Sequence, residues 1–415
     1  MTADALRQVR GGHPWVFASS VIDERAGGRH SEDPVARPLG TTGDLAVVFD
    51  SRRRFVAVGL YDARSPIRVR VLHSGRPRAI DPVFLGERIV EAVGRRAVVP
   101  LGGRHTGFRL VHGENDRLPG LVVDRYDDTL VAKVYTAAWI PRLGDLAAAL
   151  TSTAARAGWA DVVGPARRGV LRYSRDVAMD LGGRGVEDPG AWWFGPPAES
   201  PVRFVENGLA MTAEVLEGQK TGYFLDQRDN RTRVGAMCRG AEVLDVFSCS
   251  GGFSVNAAAG GAHSVLSVDR SAAALGAATS HFVLNSDLAD VARCRHRVRV
   301  GDAFDVMADL ARRGECFDVV VVDPPSFAHR ARDREGALRA YRRLAAMGSA
   351  LVRPGGSYVQ SSCSSRVEPT ALRDVVLQAV ATRRPRLRWE SGHGVDHPIG
   401  FREGAYLSTV CVDLG

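Results

Sequence analysis

An alternation of short apolar runs with helix-like stretches begins near residue 200 and constrains the fold more than any other feature. Amphipathic or alanine-rich stretches separate most of the runs, which read EVLDVFS, SVLSVDR, RVRVGDA, FDVVVVDPP and GGSYVQSS. Such alternation is typical of a parallel β-sheet covered by helices on both faces. Ligands of these folds bind beyond the carboxyl ends of the strands, so we expect the functional residues there.

Three of the predicted strands end in, or lead directly into, a carboxylate: Asp245, Asp269 and Asp302. The loop after Asp245 contains Gly251 and leads into a helix of small residues, which let the backbone approach a ligand closely. Asp269 lies 24 residues after Asp245, about where a carboxylate accepts hydrogen bonds from a ribose diol. We therefore predict a cofactor that contains a nucleoside.

The acids favour S-adenosylmethionine, a cationic cofactor without phosphate. A dinucleotide pyrophosphate is poorly served by a loop that begins with an acid, and the G-x-G-x-x-G pattern is absent. A nicotinamide enzyme and a vestigial pocket stay open as alternatives. Upstream, Gln227 or Arg228 could hold the cofactor carboxylate, with Lys220 close to the site. The predicted cofactor residues are Phe224, Gln227, Arg228, Asp245, Ser248, Gly251, Asp269, Asp302, Ala303 and Asp323.

A proline-pair loop, Asp323-Pro324-Pro325-Ser326-Phe327, follows the most apolar predicted strand. Proline pairs fix the backbone, while an acid and an aromatic face could hold the edge and ring of a nucleobase. We therefore expect Asp323, Pro324, Pro325 and Phe327 to contact a substrate base. Such a loop is typical of enzymes that methylate a planar nitrogen heterocycle.

Cys363 follows the next predicted strand, which places it beside the Asp323 loop in this architecture. Carbon 5 of a pyrimidine is a weak nucleophile, and a thiolate that adds to carbon 6 makes it reactive toward an electrophilic methyl group. We predict Cys363 as that nucleophile, with an inert loop cysteine as the alternative. The six cysteines form no C-x-x-C pair of a zinc ribbon, and no metal site is predicted.

The chain before residue 200 predicts two further domains. Residues 1–78 contain short runs rich in β-branched residues, and residues 79–195 combine two helix-like stretches with a hairpin-like run. A joint rich in proline and glycine lies at 193–197. We therefore place domains at 1–78, 79–195 and 196–415.

The charge balance makes nucleic acid a plausible partner. The chain carries a net charge of +8, and residues 1–120 hold 19 arginines against 13 acids. The predicted hairpin tip formed by Arg52, Arg53 and Arg54 could hold a phosphate backbone, and a solvated tip is an equal alternative. No apolar run approaches the roughly 18 residues of a membrane span, and the first residues lack a signal-peptide pattern. We expect a cytoplasmic protein with no membrane partner.

Together these motifs resemble bacterial 23S rRNA (cytosine-carbon-5) methyltransferases with an N-terminal PUA-like domain, which are class I S-adenosylmethionine-dependent methyltransferases. The resemblance implies a PUA-like RNA-binding domain, an α+β connector and a Rossmann-like domain that methylates a cytosine of large-subunit rRNA. It also implies Cys363 as the nucleophile, Asp323 as a contact to the cytosine, and the three strand-end acids in the cofactor pocket. It rests on His13–Phe17, Gly59–Asp62, Arg109–Glu114, Leu118–Leu121, Gly218–Arg231, Ser250–Phe253, Asp323–Phe327, Ser362–Ser364 and Asp396–Pro398.

Two departures from the family pattern stand out. Related RNA cytosine methyltransferases of another branch place a second cysteine where this chain has Ser326, so no group is assigned to remove the carbon-5 proton. Residues 26–40 form a longer loop than the pattern expects.

Two alternative functions stay open. The chain could methylate a nitrogen, which needs no cysteine, or it could be a non-catalytic RNA-binding ribosome-assembly factor. A homodimer is compatible with the sequence, which does not decide the oligomeric state.

Overall fold

The computed structural model describes residues 1–23, 29–30, 39–96, 104–156, 165–182, 190–328 and 330–415. The chain divides into two compact units. Unit 1 comprises Met1–Phe204, Ala213–Tyr223 and Asp396–Phe401, and unit 2 comprises Val205–Thr212, Phe224–Val395 and Arg402–Gly415. Most of the unusually long loop predicted at 26–40 lies outside the described residues. Unit 1 spans the first two predicted domains, whose boundaries stay a prediction.

Unit 1 opens with a helix and a four-stranded antiparallel sheet in the order β1-β6-β5-β4. The Thr2 hydroxyl caps the helix by accepting a hydrogen bond from the Ala5 N–H at 3.4 Å. The three strands β4 to β6 occur where the β-branched runs predicted them. The elements are α1 (Ala3–Arg10), β1 (Trp15–Phe17), the short pair β2 (Ile22–Asp23) and β3 (Arg29–His30), β4 (Leu45–Phe49), β5 (Phe55–Tyr61) and β6 (Ile67–Ser74).

A second sheet of unit 1 has five strands in the order β11-β10-β9-β8-β7, and two longer helices accompany it. Asp81 caps the first of these helices, with Pro82 at its first position. This mixed arrangement agrees with the α+β connector expected from the sequence. The elements are α2 (Pro82–Arg95), β7 (Gly107–His112), β8 (Leu121–Tyr126), β9 (Thr129–Val134), α3 (Leu143–Arg156), β10 (Arg168–Tyr173), α4 (Arg175–Asp180) and β11 (Ala191–Phe194).

A seven-stranded sheet in the order β16-β15-β14-β17-β18-β20-β19 forms the centre of unit 2. Strands β14 to β18 are parallel, whereas β20 runs antiparallel to both of its neighbours. A two-stranded ladder, β12 (Val202–Glu206) and β13 (Leu209–Ala213), precedes the sheet in the chain. The sheet strands are β14 (Glu242–Val246), β15 (Ser264–Asp269), β16 (Arg295–Val300), β17 (Phe317–Val322), β18 (Val352–Ser362), β19 (Arg386–Ser391) and β20 (Ser408–Asp413).

Within the described residues of unit 2, seven helices accompany these strands, and the five predicted apolar runs correspond to β14 through β18. The predicted α/β class with a Rossmann-like domain is confirmed. The helices are α5 (Arg228–Gly235), α6 (Gly252–Ala259), α7 (Ala272–Leu284), α8 (Ala289–Arg293), α9 (Ala303–Arg312), α10 (Arg334–Ser349) and α11 (Pro369–Ala379).

The strand order reverses between β14 and β17, and this reversal positions the candidate site. In the chain β14 is followed by β15 on one side, while β17 and β18 extend the sheet on the other side. A crevice opens at the carboxyl ends of strands where the order reverses. Asp245 lies in β14 near this end, and Asp323 directly follows β17. In the part of the chain that the structure describes, no helix is both long and apolar enough to cross a bilayer.

Candidate active site

The loop after β14 bends through three residues with left-handed backbone: Phe247, Cys249 and Gly251, with φ of 62°, 48° and 72°. A Cβ atom at Gly251 would lie 2.6 Å from the Cβ atom of Ala278 in α7, so only glycine fits there. The Cys249 N–H donates to Asp269 Oδ2 at 2.9 Å and fixes the loop against the end of β15. Left-handed non-glycine residues are costly and cluster at functional sites.

Asp245 is fully buried beneath this loop. The Ser254 hydroxyl donates to its Oδ2 at 2.6 Å, whereas its Oδ1 has no hydrogen-bond partner among the described residues. The buried hydroxyl of Ser248 likewise has no partner within the described chain. Burial is the main cause that raises the pKa of Asp245 to about 7, and the charges of Asp323 and Asp269 contribute.

These features fit S-adenosylmethionine. An ionised Asp245 would be a buried negative charge near two other acids, and a cation is the ligand that would stabilise it. The cofactor carries a sulfonium and an ammonium group, and its hydroxyl and ammonium groups can donate hydrogen bonds to Asp245 Oδ1 and Ser248 Oγ. The orphaned polar atoms and the clustered acids therefore match the predicted cofactor.

The other two strand-end acids also organise the backbone around them. Asp269 Oδ1 accepts from the Ser271 N–H at 2.9 Å, in addition to the bond from Cys249. Asp302 caps α9 by accepting from the Phe304 N–H at 2.9 Å, and the buried Ala303 follows it. Carboxylate oxygens can accept more than one hydrogen bond, so both acids keep capacity for a ligand. Their contacts to ribose and adenine stay predictions.

Gln227 connects the predicted cofactor segment to the proline-pair loop. Its Nε2 donates to Asp323 Oδ1 at 2.9 Å, and its Oε1 accepts from Asn230 Nδ2 at 2.6 Å. The neighbouring Arg228 donates through Nε to Asp229 at 2.9 Å, and the carbonyl of Phe224 accepts from Arg231 Nη2 at 2.9 Å. The roles of Phe224, Gln227 and Arg228 toward the cofactor carboxylate stay predictions.

Cys363 and the proline-pair loop lie side by side, as the order of β17 and β18 predicts. The Cys363 thiol donates to the Pro324 carbonyl at 3.7 Å, and the Ser364 hydroxyl donates to the Ala328 carbonyl at 3.0 Å. Cys363 is half-buried, Pro324 is buried and Pro325 is exposed. The structure thus brings together the thiol, Asp323 and the aromatic ring of Phe327 on two adjoining loops.

Three site residues escaped the sequence analysis: Ser254, Asn230 and Tyr341. The Tyr341 hydroxyl accepts from the Ser362 hydroxyl at 2.9 Å, and the Tyr341 ring lies 5.3 Å from that of Phe327. In the sequence Tyr341 belongs to an apolar stripe at helical spacing, which predicts only a buried position. Ser254 and Asn230 lie within helices, and sequence spacing gives no signal for the partners they contact.

The remaining predicted residues belong to unit 1. The polar segment 218–231 is divided, with Lys220 in unit 1 and Gln227 in unit 2. Lys220 has a left-handed backbone with φ of 53°, and its carbonyl accepts from Lys133 Nζ at 3.1 Å. Its predicted contact to substrate stays a prediction.

The hairpin tip between β4 and β5 folds around the carboxylate of Asp50. The backbone N–H groups of Arg52 and Arg54 each donate to Asp50 Oδ1 at 2.9 Å, and Arg10 Nη2 donates to Oδ2 at 2.7 Å. The bond from the Arg54 backbone, with smaller contributions from the Arg54 side chain and the Arg52 backbone, lowers the pKa of Asp50 to about 2. Arg54 is paired with Asp50, while Arg52 and Arg53 are exposed and have no ion pair among the described residues. Their contact to RNA stays a prediction.

Two family models match the chain. The model described as S-adenosylmethionine-dependent methyltransferase covers residues 109–400, and the model of a PUA-like domain covers residues 1–74. The first match includes every predicted cofactor residue and Cys363. The second includes the hairpin tip at Arg52–Arg54.

The chain is also similar to curated proteins and solved structures over nearly its whole length. It is 43% identical to the ribosomal RNA large subunit methyltransferase of Deinococcus radiodurans, covering 98% of this chain and 94% of that protein. It is 30% identical to the ribosomal RNA large subunit methyltransferase I of Pseudoalteromonas translucida, covering 95% and 93%. A putative SAM-dependent methyltransferase from Streptococcus mutans has the same fold, with a TM-score of 0.78 at 19% identity over 100% and 98% of the two chains. A putative methyltransferase complexed with SAH gives a TM-score of 0.79 at 19% identity over 99% and 98%.

Proposed function

Because this chain belongs to the family of S-adenosylmethionine-dependent methyltransferases, we propose that it methylates carbon 5 of a cytosine in 23S rRNA. Its cofactor is S-adenosylmethionine, which when bound supplies an electrophilic methyl group. The observation that carries the proposal is the Cys363 thiol 3.7 Å from the carbonyl of Pro324, beside Asp323.

Three observations support rRNA as the substrate. The relatives at 43% and 30% identity are named ribosomal RNA large subunit methyltransferases. The chain has a PUA-like domain and a net charge of +8, and a basic protein attracts the phosphate backbone of RNA.

The proposal also includes a location and an oligomeric state. An enzyme that modifies ribosomal RNA works where ribosomes assemble, so we place it in the cytoplasm. A homodimer is part of the proposal, and sedimentation of the pure protein tests it.

Cys363 performs the first step of the proposed reaction. As a thiolate, it adds to carbon 6 of the cytosine, and the electron pair of the C5–C6 double bond moves toward carbon 5. Carbon 5 would then bond to the methyl group as the bond between that methyl group and the cofactor sulfur breaks, with the bonding electron pair leaving on the sulfur. Loss of the carbon-5 proton to a base, for which no residue is assigned, restores the double bond and expels the Cys363 thiolate. Asp323 and Phe327 hold the edge and the face of the base, which must leave its stack to meet the thiol.

The residues around β14 hold the cofactor in this proposal. Asp245 accepts a hydrogen bond from the cofactor through Oδ1, and the Ser248 hydroxyl donates or accepts one. Asp269 binds the ribose, and Asp302 binds the adenine. Gln227 contacts Asp323 directly, so it couples the cofactor segment to the loop that holds the base. Gly251 permits the backbone to approach the cofactor closely.

Replacement of Cys363 tests the proposal. Purified protein is incubated with labelled S-adenosylmethionine and unmethylated rRNA, and the product is digested to nucleosides. We expect label in 5-methylcytidine with the wild type and a loss of at least about a thousandfold with Cys363→Ala, because nucleophilic catalysis disappears. Cys316→Ala is the matched control, since Cys316 is also half-buried but precedes β17 at the other end of that strand.

The remaining outcomes separate the alternatives. Label in a methylated nitrogen, with turnover kept by Cys363→Ala, would replace the thiolate mechanism by nitrogen methylation. Absence of label, with RNA still bound, would favour the non-catalytic assembly factor. If Cys363→Ala and Cys316→Ala lost methyl-transfer activity equally, the loss would be due to impaired folding and not to a missing nucleophile.

A further inference from the structure

A dense group of arginines lies on the segment 330–343, which follows the proline-pair loop and extends into α10 as far as Arg343. We call it the arginine face. It contains six arginines and two acids, a net charge of +4 in 14 residues of a chain whose total is +8. All six arginines are exposed: Arg330, Arg332, Arg334, Arg339, Arg342 and Arg343.

The arginine face has little compensating charge among the described residues. Among the described residues the only ion pair of these six arginines joins Arg332 to Asp333 at a long 3.9 Å. Arg339 and Arg342 are three positions apart in α10, and Arg339 and Arg343 are four apart, so their like charges repel across one helix face. Five of the six arginines have no ion pair among the described residues, and a cluster of like charges that costs the helix stability indicates an external anion.

The opposite side of α10 contacts both catalytic loops. Tyr341 is fully buried, its hydroxyl accepts from Ser362 next to Cys363, and its ring lies 5.3 Å from that of Phe327. One helix therefore anchors the thiol loop and the proline-pair loop on its inner side and presents arginines on its outer side. An anion bound to the arginine face lies next to the place where the substrate base enters.

We propose that the arginine face binds the phosphates of the RNA strand that flanks the target nucleotide. The inference rests on the proposed function. Arginine presents a planar fork of donors suited to phosphate oxygens. The rise of about 1.5 Å per residue puts Arg339 and Arg343 about 6 Å apart along the axis, which suits successive phosphates of a single strand. The face thus holds the backbone of a strand whose base has been extruded.

RNA fits this face better than an acidic protein segment. A protein partner generally buries an apolar centre with its charges at the rim. The exposed positions of α10 between residues 335 and 346 are instead charged or small: Glu335, Gly336, Arg339, Arg342, Arg343 and Ala346. The Arg343 guanidinium lies over the Phe304 ring, 4.5 Å from its centroid, and this contact leaves its charge without a counter-ion. A surface without apolar anchors, whose arginines other than Arg332 have no ion pair among the described residues, matches a phosphate backbone.

The test compares two double variants of equal charge. Arg339→Gln/Arg342→Gln removes two charges from the arginine face. Arg239→Gln/Arg297→Gln removes two exposed arginines elsewhere in unit 2 that also have no ion pair among the described residues. Affinity for an unmethylated rRNA fragment is measured between 0.05 and 0.3 M salt, about the range where phosphate contacts dominate. Methyl transfer is measured as kcat and KM on the same fragment.

We expect the arginine-face variant to bind the fragment about 5- to 25-fold more weakly at 0.1 M salt, with a salt slope lower by about 0.7 per lost phosphate contact. KM for RNA rises by the same factor and kcat stays within about twofold, because the proposed contacts are to flanking phosphates and not to the reacting base. Equal affinity and slope in the two double variants would overturn the proposal, as would a fall in kcat alone. Absence of methylation by the wild type would contradict the proposed function. The comparison of RNA affinities between the two double variants would still test whether the arginine face binds RNA.

Discussion

Asp245 shows how burial changes the chemistry of a single carboxyl group. The pKa rises to about 7 mainly because the group is removed from water, and two acids nearby add to the effect. In the unfolded chain the same group titrates near 3.8. Between these two pH values the folded protein keeps a proton that the unfolded chain has lost. The contribution of Asp245 to stability is therefore complete below about pH 3.8 and declines as the pH rises to about 7.

Asp245→Asn should remove this pH dependence. At pH 8 the wild type carries a buried charge that asparagine lacks, whereas at pH 5 both side chains are neutral. Without cofactor, we expect the variant to melt at a higher temperature than the wild type at pH 8. At pH 5 we expect this difference in melting temperature to be smaller. Thermal unfolding at the two pH values measures this difference, and an equal difference at both would contradict the shifted pKa.

The same carboxyl group should couple cofactor binding to proton release. A cation favours the ionised form, so the affinity of the wild type for S-adenosylmethionine should rise between pH 6 and 8, by up to about tenfold per unit below pH 7. Asp245→Asn should bind more weakly and lose that rise. Calorimetric titration at both pH values measures the affinities, and the variant controls for titration of the cofactor itself. A parallel rise in both proteins would exclude Asp245 as the cause.

At the scale of elements, the close approach of the cofactor loop to α7 depends on Gly251. Its φ is 72°, and an added Cβ would meet Ala278 Cβ at 2.6 Å. Gly276, two residues before Ala278 in α7, has no atom within 4 Å of an added Cβ. The two glycines therefore differ in environment: Gly251 is buried against α7, whereas Gly276 is an exposed position of that helix.

Alanine substitutions should separate these two glycines. Gly251→Ala should lower the free energy of unfolding by about 1–3 kcal/mol and weaken cofactor binding, because the backbone strain and the clash move the loop. Gly276→Ala should raise that free energy by up to about 1 kcal/mol, because glycine is a poor residue within a helix. Urea unfolding with and without cofactor measures both. Similar effects of the two substitutions would argue against a special conformation at Gly251.

At the scale of the whole molecule, the chain returns to unit 1 after building most of unit 2. The returning segment Asp396–Phe401 is held within unit 1 by buried polar contacts. Asp396 Oδ2 accepts from the Arg109 N–H at 2.8 Å, and its Oδ1 lies 3.0 Å from His397 Nδ1. Asp396 and His397 are both buried, which accounts for a structural role of the Asp396-His397-Pro398 motif.

Asp396→Ala should therefore destabilise unit 1 selectively. Loss of the acceptor leaves a buried N–H without its partner, which costs about 1–3 kcal/mol. Hydrogen exchange should speed up in β7 and β8 of unit 1, with little change in β14 and β17 of unit 2. Asp287→Ala, an exposed acid without an ion pair among the described residues, is the control. Faster exchange in both units would show that the segment stabilises the molecule as a whole.

Much of the catalytic domain could be predicted from local patterns. The β-branched runs marked β14 to β18, and the acids at their ends indicated where a cofactor would lie. Cys363 was predicted to lie beside Asp323 because parallel strands align their carboxyl ends. The sequence analysis did not name β19 and β20, since antiparallel pairing at a sheet edge depends on which distant segments meet. Nor did it detect the arginine face, because a count along the chain located the basic excess at residues 1–120.

The sequence by itself determined the class of fold, the family and the kinds of chemical groups at the site, because periodicity and motif spacing are local properties. Tertiary structure alone decided which distant groups meet. It placed Ser254 on Asp245 and Gln227 on Asp323, and it divided the segment 218–231 between two units. The raised pKa of Asp245 also belongs to the tertiary structure, since it arises from burial and from charges on other strands. Distances between residues far apart in the chain are set by packing, which spacing along the sequence does not encode.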